Sequence, residues 1–157
     1  MVTYLDHAAS TPMRHEAIEA MTPFLDNLYA NPSGSHRFAR VARKALDEAR
    51  DVAAEALGCN AGEVIFTSGG TEGDNSAVLG TVRKLGGVAV CTATEHHAVL
   101  HCVEHVDGVV VRVNNVGSVD LDDLARVLQE ATPEKPITVV SVMAVNNEVG
   151  TITPMRD

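Results

Sequence analysis

The chain has 157 residues and carries 21 Asp and Glu against 12 Lys and Arg, which gives a net charge of −9. A nucleic-acid partner requires a basic face, and a single-strand binder also requires aromatic stacking residues. Aromatic residues make up only 3% of this chain. The composition therefore predicts no direct nucleic-acid partner, and a length near that of one domain predicts a single hydrophobic core.

The sequence has neither a membrane-spanning apolar run nor an N-terminus of the signal-peptide kind. A soluble cytoplasmic protein is the expectation. The three cysteines, Cys59, Cys91 and Cys102, are widely spaced and odd in number. They indicate neither a disulfide framework nor a zinc knuckle, and we expect reduced thiols. Cys91 and Cys102 are expected to be packing residues rather than nucleophiles.

Two helices are predicted in the first part of the chain. The first covers 13–28, with Pro23 predicting a kink or a shortening, and a break follows at 31–35. The second covers 37–57 and has the strongest helical periodicity in the chain, with Gly58 as a stop signal. The apolar face of the first helix consists of Ile18, Met21 and Leu25.

Short aliphatic runs alternate with helical segments in the remainder of the chain. This alternation is typical of an α/β fold, in which a mostly parallel sheet is flanked by helices. The predicted strands are 63–67, 88–92, 109–113 and 137–143. The predicted helices are 71–85, 97–106 and 121–130.

Polar segments follow three of the predicted strands, at the sheet edge where ligands of α/β proteins bind. They are 68–71, 94–97 and 145–148. The first belongs to the Gly-rich run 66–72, between a strand and a helix. Unpaired N–H groups and the dipole at a helix start form an anion site, so this run suits a phosphate, although it also suits a tight turn alone.

The three segments together suggest the kind of ligand. A phosphate loop, a His pair and an Asn pair would suit a molecule that combines a phosphate, an aromatic ring and a polar ring substituent. Pyridoxal 5'-phosphate has these parts. The sequence thus predicts a pyridoxal-phosphate pocket at this edge of the sheet.

Five motifs in order carry a resemblance to a known family. They are Tyr4-Leu5-Asp6-His7-Ala8-Ala9-Ser10-Thr11-Pro12, Asn31-Pro32-Ser33-Gly34-Ser35-His36, Phe66-Thr67-Ser68-Gly69-Gly70-Thr71-Glu72, Thr94-Glu95-His96-His97-Ala98-Val99-Leu100 and Val145-Asn146-Asn147-Glu148-Val149-Gly150-Thr151. The chain resembles the N-terminal part of a cysteine desulfurase, in the class V aminotransferase group of fold type I pyridoxal-phosphate enzymes. The last two motifs favour desulfurases over other aminotransferases of the fold.

The resemblance implies roles for individual residues. Gly70 and Thr71 would bind the cofactor phosphate, and Asn147 would donate a hydrogen bond to the phenolic oxygen of the cofactor. His96 would be the catalytic residue, stacking on the pyridine ring and holding or passing a proton. The segment from Asp6 to Thr11 would approach the substrate amino acid.

The resemblance also implies an activity and a domain organisation. Residues 1–157 would be the N-terminal segment and the first half of the large, pyridoxal-phosphate-binding domain, with the C-terminal half absent. The complete enzyme would convert L-cysteine to L-alanine and pass sulfur to an enzyme persulfide. It would be a homodimer that serves an iron–sulfur scaffold or a tRNA-thiolation protein.

The chain by itself is expected to be inactive. The family's Schiff-base lysine follows a Ser-x-His motif, and none of Lys44, Lys84 and Lys135 has this context. The cysteine that accepts sulfur in the family would also lie outside this chain. Two smaller departures are Gly70, where the family usually has Ala, and Ala39, where it often has Gly.

Other functions remain open at this stage. The chain could be a non-catalytic or split subunit that binds a phosphate ligand or a partner chain. A nucleotide-binding module of the Rossmann kind is a third alternative, but the Gly-x-Gly-x-x-Gly spacing is missing. The spacing of His97, His101 and His105 could place a metal on one helix face, but no Cys or carboxylate partner is evident, so we predict no metal site.

Several candidate residues also have a purely structural interpretation. Thr71 could be a helix N-cap, and Asn146 and Asn147 could shape a turn. Glu72 and Asp74 suit the dipole of a helix start, and His36 could cap the helix that follows it.

Overall fold

The computed structural model describes residues 2–155, which form two compact units that divide after Phe66. The first unit contains α1 (His15–Asp26), α2 (Arg37–Leu57) and a 3₁₀ turn (Ala61–Glu63). The second contains α3 (Gly70–Leu85), β1 (Val88–Thr92), α4 (His97–His105), β2 (Val109–Val111), α5 (Leu121–Gln129) and β3 (Ile137–Ser141). No helix within residues 2–155 has both the length and the apolarity to cross a membrane.

The strands of the second unit form one parallel sheet in the order β2-β1-β3. Val90 lies opposite Val109 on one side and opposite Val140 on the other. Because all three strands run in the same direction, their carboxyl ends meet at one edge. The predicted α/β architecture is therefore confirmed for this unit.

Two apolar clusters cover the two faces of this sheet. Side chains alternate along a strand, so Ala89 and Cys91 of β1 face a cluster with α3 and α4. Val90 faces the other way, toward Val111 and Val127 of α5. The prediction of a single hydrophobic core is wrong, because the structure has two apolar clusters. The larger apolar side chains of the first unit belong to neither of them.

The first unit leaves its apolar helix faces exposed. α1 has no buried residue, and Ile18, Met21 and Leu25 are 47%, 44% and 76% exposed. α2 has the predicted bounds, yet only Ala39 and Ala54 are buried along it. Amphipathic periodicity therefore predicted both helices correctly, but burial of their apolar faces is not achieved within the described residues.

The predicted strand 63–67 is wrong. The chain forms the 3₁₀ turn there and then runs without regular structure to the start of α3. Glu63 stabilises the turn, because its carboxylate accepts from the backbone N–H of Asn60 at 2.7 Å and from the side-chain amide of Asn60 at 2.9 Å. An apolar run becomes a strand only when a neighbouring strand pairs with it, and 63–67 has no such neighbour among residues 2–155.

The other predicted elements differ from the structure only at their ends. β1 has the predicted bounds, whereas β2 and β3 each end two residues early, because beyond Val111 and Ser141 the backbone leaves the parallel ladder. α1 continues through Pro23, whose carbonyl accepts from the Asn27 N–H at 3.0 Å. Helix ends are the least determined part of a periodic pattern.

A buried carboxylate ties α5 to β2. Asp123 accepts from the backbone N–H of Arg112 at 2.9 Å and from the guanidinium of Arg126 at 2.9 Å. The Arg112 hydrogen bond, followed by that of Arg126, lowers the pKa of Asp123 from 3.8 to about 2. Asp120 caps the same helix by accepting from the N–H groups of Asp122 and Asp123.

Close packing leaves little room for a side chain at Gly108 and at Gly34. A Cβ at Gly108 would lie 2.4 Å from the carbonyl oxygen of Ala89 and 2.5 Å from a methyl group of Val103. A Cβ at Gly34 would lie 2.9 Å from the Cβ of Ala39, which is fully buried. Ala39 stands where the family often has Gly. The additional methyl group of Ala39 therefore occupies space that Gly34, which has no side chain, leaves open.

Candidate functional site

The start of α3 presents unpaired backbone donors, as the Gly-rich run predicted. Gly69 is the N-cap residue and Gly70 is the first residue of the helix. The N–H groups of Gly70, Thr71 and Glu72 have no acceptor within residues 2–155. The N-cap interpretation of Thr71 is wrong, because Thr71 lies inside the helix, where its hydroxyl is free for a ligand.

Glu72 has a structural role in this loop. Its carboxylate accepts from the Ser68 N–H at 2.6 Å, and this hydrogen bond lowers the pKa of Glu72. The side chain thus closes the loop that precedes α3. Its negative charge also lies close to the helix start and opposes part of the attraction that the helix dipole offers to an anion.

His96 is the N-cap of α4. Its Nδ1 accepts from the N–H of Ala98 at 3.1 Å. A nitrogen that accepts a hydrogen bond carries no proton, so the neutral ring has its proton on Nε2. The cap therefore fixes both the orientation of the ring and its tautomer, and it leaves Nε2 as the atom that can exchange a proton with a ligand.

Asn75 joins the start of α3 to the start of α4. Its Nδ2 donates to the carbonyl of Thr71 at 2.8 Å and to the carbonyl of Ala98 at 3.3 Å. Thr71 and the His96 turn are consequently held together by one half-buried amide. The sequence analysis did not identify Asn75, and its only signal was its position one turn after Thr71.

Two cavities meet at His96. A groove of about 600 Å³ runs between α3 and α4 and is lined by Thr71, Asn75 and His96, among others. A smaller cavity of about 230 Å³ is lined by Glu95, His96 and Asn147 together with neighbouring loop residues. The structure thus brings Thr71, His96 and Asn147 together around adjoining spaces, while Gly70 adjoins Thr71 without lining either cavity.

The two asparagines have different roles. Asn146 shapes the turn, because its Oδ1 accepts from the N–H groups of Glu148 and Val149, each at 2.9 Å. Its Nδ2 donates to the carbonyl of Thr94 at 3.0 Å and so connects the loops after β3 and β1. Asn147 is exposed and has no side-chain hydrogen bond within residues 2–155, so its amide can donate to a ligand.

Glu95 is a half-buried residue that the sequence analysis left without a role. Its Oε1 is shielded from solvent and has no hydrogen-bond partner within residues 2–155. Burial raises the pKa of Glu95, against the opposing influence of the Ser141 hydroxyl and the Met143 backbone. An acid three residues after an apolar strand, at the edge where ligands bind, was the available sequence signal.

The histidine stripe on α4 borders the larger groove. His97 and His101 lie with ring centroids 5.2 Å apart, and both line the groove with His105. No group of three or more His, Cys, Asp or Glu side chains within residues 2–155 is arranged to hold a metal ion. These rings form part of the groove wall.

Two of the thiols belong to the core of the second unit, and Cys102 also lines the larger groove. Cys91 and Cys102 are buried, and burial raises the pKa of Cys91 to about 11, so both pack in the core as expected. The segment from Asp6 to Thr11 is exposed in the first unit. His36 accepts from the N–H of Ala39 at 3.3 Å, which confirms that it caps α2.

A family model described as Aminotransferase class-V matches residues 3–157. The chain belongs to the class V aminotransferase family. One relative, a cysteine desulfurase IscS of Dictyoglomus turgidum, is 43% identical over 98% of this chain and 40% of its own length.

Solved structures of the family have the same fold. A NifS-like protein superimposes with a TM-score of 0.83 at 33% identity, over 98% of this chain and 43% of the other. A structure described as SspA in complex with cysteine gives a TM-score of 0.79 at 30% identity, over 98% of this chain and 45% of the other. The chain spans less than half the length of these relatives.

The donor set of this class V aminotransferase chain fits the phosphate and ring of pyridoxal phosphate. Free N–H groups and a hydroxyl lie at the start of α3, a ring of fixed tautomer lies at the start of α4, and an amide lies after β3. No lysine or arginine lines either cavity among the described residues. A phosphate here would depend on backbone donors and the helix dipole rather than on a cationic side chain.

Proposed function

We propose that the complete protein is a pyridoxal-phosphate-dependent cysteine desulfurase and that this chain provides one wall of its cofactor pocket. In that assignment residues 1–157 are the N-terminal segment and the first half of the large domain. The observation that carries the proposal is the meeting of Thr71, His96 and Asn147 around two adjoining cavities. The cysteine desulfurase IscS relative and the structure of SspA in complex with cysteine support L-cysteine as the substrate.

Each of the three side chains would hold a different part of the cofactor. Thr71, with the free N–H groups of Gly70 and Thr71, would bind the phosphate. His96 would lie against the pyridine ring, and Asn147 would donate to the phenolic oxygen. When bound, the cofactor supplies an electron sink for bonds at the α-carbon of an amino acid.

The structure suggests how His96 would move a proton. Its Nδ1 is occupied by the Ala98 N–H, so Nε2 is the only ring nitrogen that can donate to or accept from a substrate. The backbone cap also favours one orientation of the ring. His96 would therefore hold or pass a proton at Nε2 while its orientation stays fixed.

Covalent attachment of the cofactor requires a lysine that this chain lacks in the pocket. Lys84 lies in the last turn of α3, and Lys135 lies directly before β3. Both positions are at the amino-terminal edge of the strands, opposite the cavities, because α3 runs antiparallel to the sheet. Lys44 belongs to α2 in the first unit.

The remaining partners and the location of the complete enzyme are also part of the proposal. We expect a cytoplasmic homodimer that passes sulfur from a persulfide to an iron–sulfur scaffold or a tRNA-thiolation protein. The IscS relatives support this expectation only through their family. The 157-residue chain should form no alanine from cysteine, whereas the complete protein should do so.

Ligand binding to this chain tests the proposal without needing turnover. We expect pyridoxal phosphate to bind reversibly and to bind more tightly than pyridoxal, which lacks the phosphate. Thr71→Val should weaken binding of pyridoxal phosphate about fivefold to tenfold, the usual effect of one hydrogen bond to a charged group, and leave pyridoxal unaffected. Ser76→Ala, on the exposed side of the same helix, is the matched control.

Two results would contradict the proposal. Equal binding of pyridoxal and pyridoxal phosphate would show that the start of α3 is not a phosphate site. Borohydride reduction that produced a specific covalent adduct would show that one of the three lysines reaches the cofactor after all. Binding seen only after addition of a second protein would favour the alternative of a split subunit.

A further inference from the structure

The turn that follows β2, residues 114–118, is held by hydrogen bonds of its own. Asn114 builds this 114–118 turn, because its Oδ1 accepts from the N–H groups of Val116 and Ser118 at 3.0 and 3.1 Å. Gly117 closes the turn by donating its N–H to the Asn114 carbonyl at 3.0 Å. Its φ of 79° is a conformation that favours glycine. The carbonyl groups of Val116 and Gly117 are thereby held in fixed positions.

Two threonine hydroxyl groups from different loops bind these two carbonyl groups. The hydroxyl of Thr94 donates to the Gly117 carbonyl at 3.3 Å, and the hydroxyl of Thr151 donates to the Val116 carbonyl. Both threonines are half-buried. A Cβ built on Gly117 would lie 3.4 Å from the hydroxyl oxygen of Thr151 and 3.8 Å from the methyl group of Thr94. Both side chains therefore also pack against the 114–118 turn.

The two threonines belong to the segments that carry the proposed ligand groups. Thr94 lies two residues before His96 in the loop after β1. Thr151 lies in a hairpin after β3 that has Asn147 near its tip, and the Asn146 N–H donates to the Thr151 carbonyl at 2.8 Å. Because the strand order is β2-β1-β3, the turn after β2 reaches across the end of β1 to this Asn147 hairpin.

We propose that Thr151 is a positioning residue, whose hydroxyl group ties the Asn147 hairpin to the 114–118 turn, while Thr94 ties the same turn to the loop of His96. This inference rests on the proposed function for the ligand roles of His96 and Asn147. Among the described residues, Thr151 lies outside the walls of both cavities, so it acts on a ligand only through the hairpin.

The physical reason for such a tie is the exposure of Asn147. Its side chain is exposed and points from the tip of a loop, so its amide is aimed at a ligand only as well as the backbone beneath it is held. A loop that is ordered only on binding loses conformational entropy at that moment and binds more weakly. Fixing the hairpin in advance avoids that cost.

Hydrogen exchange of the 157-residue chain, without cofactor, tests the tie directly. The N–H groups of Glu148 and Val149 report on the hairpin, because both donate to the Oδ1 of Asn146 at 2.9 Å. Thr151→Val removes the hydroxyl group at nearly constant shape and should speed exchange at these two groups about fivefold, the effect of losing one hydrogen bond. Thr151→Ser keeps the hydroxyl group, so its exchange should stay within about twofold of the unmodified chain.

Thr138→Val is the matched control, because it also removes a threonine hydroxyl that donates to a carbonyl group. That hydroxyl donates to Gly86 at 2.9 Å, at the amino-terminal edge of the sheet and away from the hairpin. Exchange at Glu148 and Val149 should be unchanged in this variant. Equal acceleration in Thr138→Val and Thr151→Val would indicate a general loss of stability and overturn the proposal. An unchanged hairpin in Thr151→Val, or fast exchange in Thr151→Ser, would overturn it as well.

Asn114→Ala tests both ties from the other side and applies even where Thr151→Val does not fold. Asn114 is exposed, and its removal dismantles the turn without changing either threonine. Exchange should become about fivefold faster at Glu148 and Val149, and also at the Ala98 N–H, which is held by the ring in the loop of Thr94. An unchanged rate at either place would contradict the tie to that loop.

Ligand binding separates positioning of Asn147 from simple support of the fold. Thr151→Val should weaken binding of pyridoxal phosphate about threefold to fivefold, because the loosened hairpin must be ordered before Asn147 can donate. In an Asn147→Ala background the same substitution should have almost no effect, since the donor that it positions is gone. Equal weakening in both backgrounds would show that Thr151 does not act through Asn147. Failure of pyridoxal phosphate to bind the unmodified chain would refute the proposed function, and hydrogen exchange alone would then decide the tie.

Discussion

His96 combines two roles that substitution can separate. The ring is proposed to contact the cofactor, and its Nδ1 caps α4 through the Ala98 N–H at 3.1 Å. His96→Ala removes both. Loss of an N-cap costs about 0.5–2 kcal/mol. Ala98 is only 8% exposed, so water replaces the lost acceptor poorly and we expect about 1–2 kcal/mol.

His96→Asn removes the ring but keeps a cap, because Asn is among the best N-cap residues. We therefore expect its free energy of unfolding to lie within about 0.5 kcal/mol of the unmodified chain. Binding of pyridoxal phosphate should nevertheless be weakened in both variants, since neither side chain can stack on the pyridine ring.

Urea unfolding followed by circular dichroism measures the stability difference, and exchange at the Ala98 N–H reports the cap directly. The chain contains no Trp, so fluorescence is not the suitable probe. If His96→Asn were destabilised as much as His96→Ala, the capping argument would be refuted. If His96→Asn bound pyridoxal phosphate as well as the unmodified chain, the ring would have no role in binding.

Three further predictions concern packing and charge. Asp123 has a folded pKa of about 2 against an ordinary 3.8, so its contribution is complete above 3.8 and is lost as pH falls toward 2. As pH falls from 3.8 toward 2 in an acid titration, the free energy of unfolding of Asp123→Asn should therefore increase relative to that of the unmodified chain. A difference in free energy of unfolding that stayed constant over this range would contradict the prediction. Gly108→Ala should cost on the order of 3 kcal/mol in urea unfolding, whereas Gly80→Ala, whose Cβ would meet nothing within 4 Å, should gain about 0.5–1 kcal/mol. Gly34→Ala should lower the free energy of unfolding by about 1–3 kcal/mol, and adding Ala39→Gly should recover part of that loss. Strictly additive effects of the two substitutions in a double-mutant cycle would be evidence against the contact between these positions.

Local sequence patterns predicted most of the elements. Helical periodicity and the stop signal of Gly58 predicted the bounds of α2. Gly58 ends the helix with a φ of 69°, a conformation that favours glycine. The aliphatic run of β1 and its parallel neighbours were predicted because both faces of that strand are covered. The run at 63–67 looked the same locally, but strand formation depends on a pairing partner that no local pattern contains.

The site could be predicted only in part for a similar reason. Motif order predicted that His96 and Asn147 would converge, since the parallel strands β1 and β3 bring their carboxyl ends to one edge. The same argument placed Thr71 there at the end of a strand 63–67 that does not form, and Thr71 instead reaches this edge at the start of α3. The capping role of His96 and the different roles of Asn146 and Asn147 depend on side-chain geometry, so the sequence left them open. Asn75 was missed because its hydrogen bond to the Ala98 carbonyl joins segments far apart in the chain.

The sequence by itself determined the family, the α/β alternation and the residue types available for a phosphorylated ligand. These properties follow from short-range periodicity and from motif spacing, which the chain carries without folding. The tertiary structure decided which donors are free, which ring nitrogen is occupied and which carboxyl is buried. Those properties depend on the burial and hydrogen bonding that arise only when separate segments pack together.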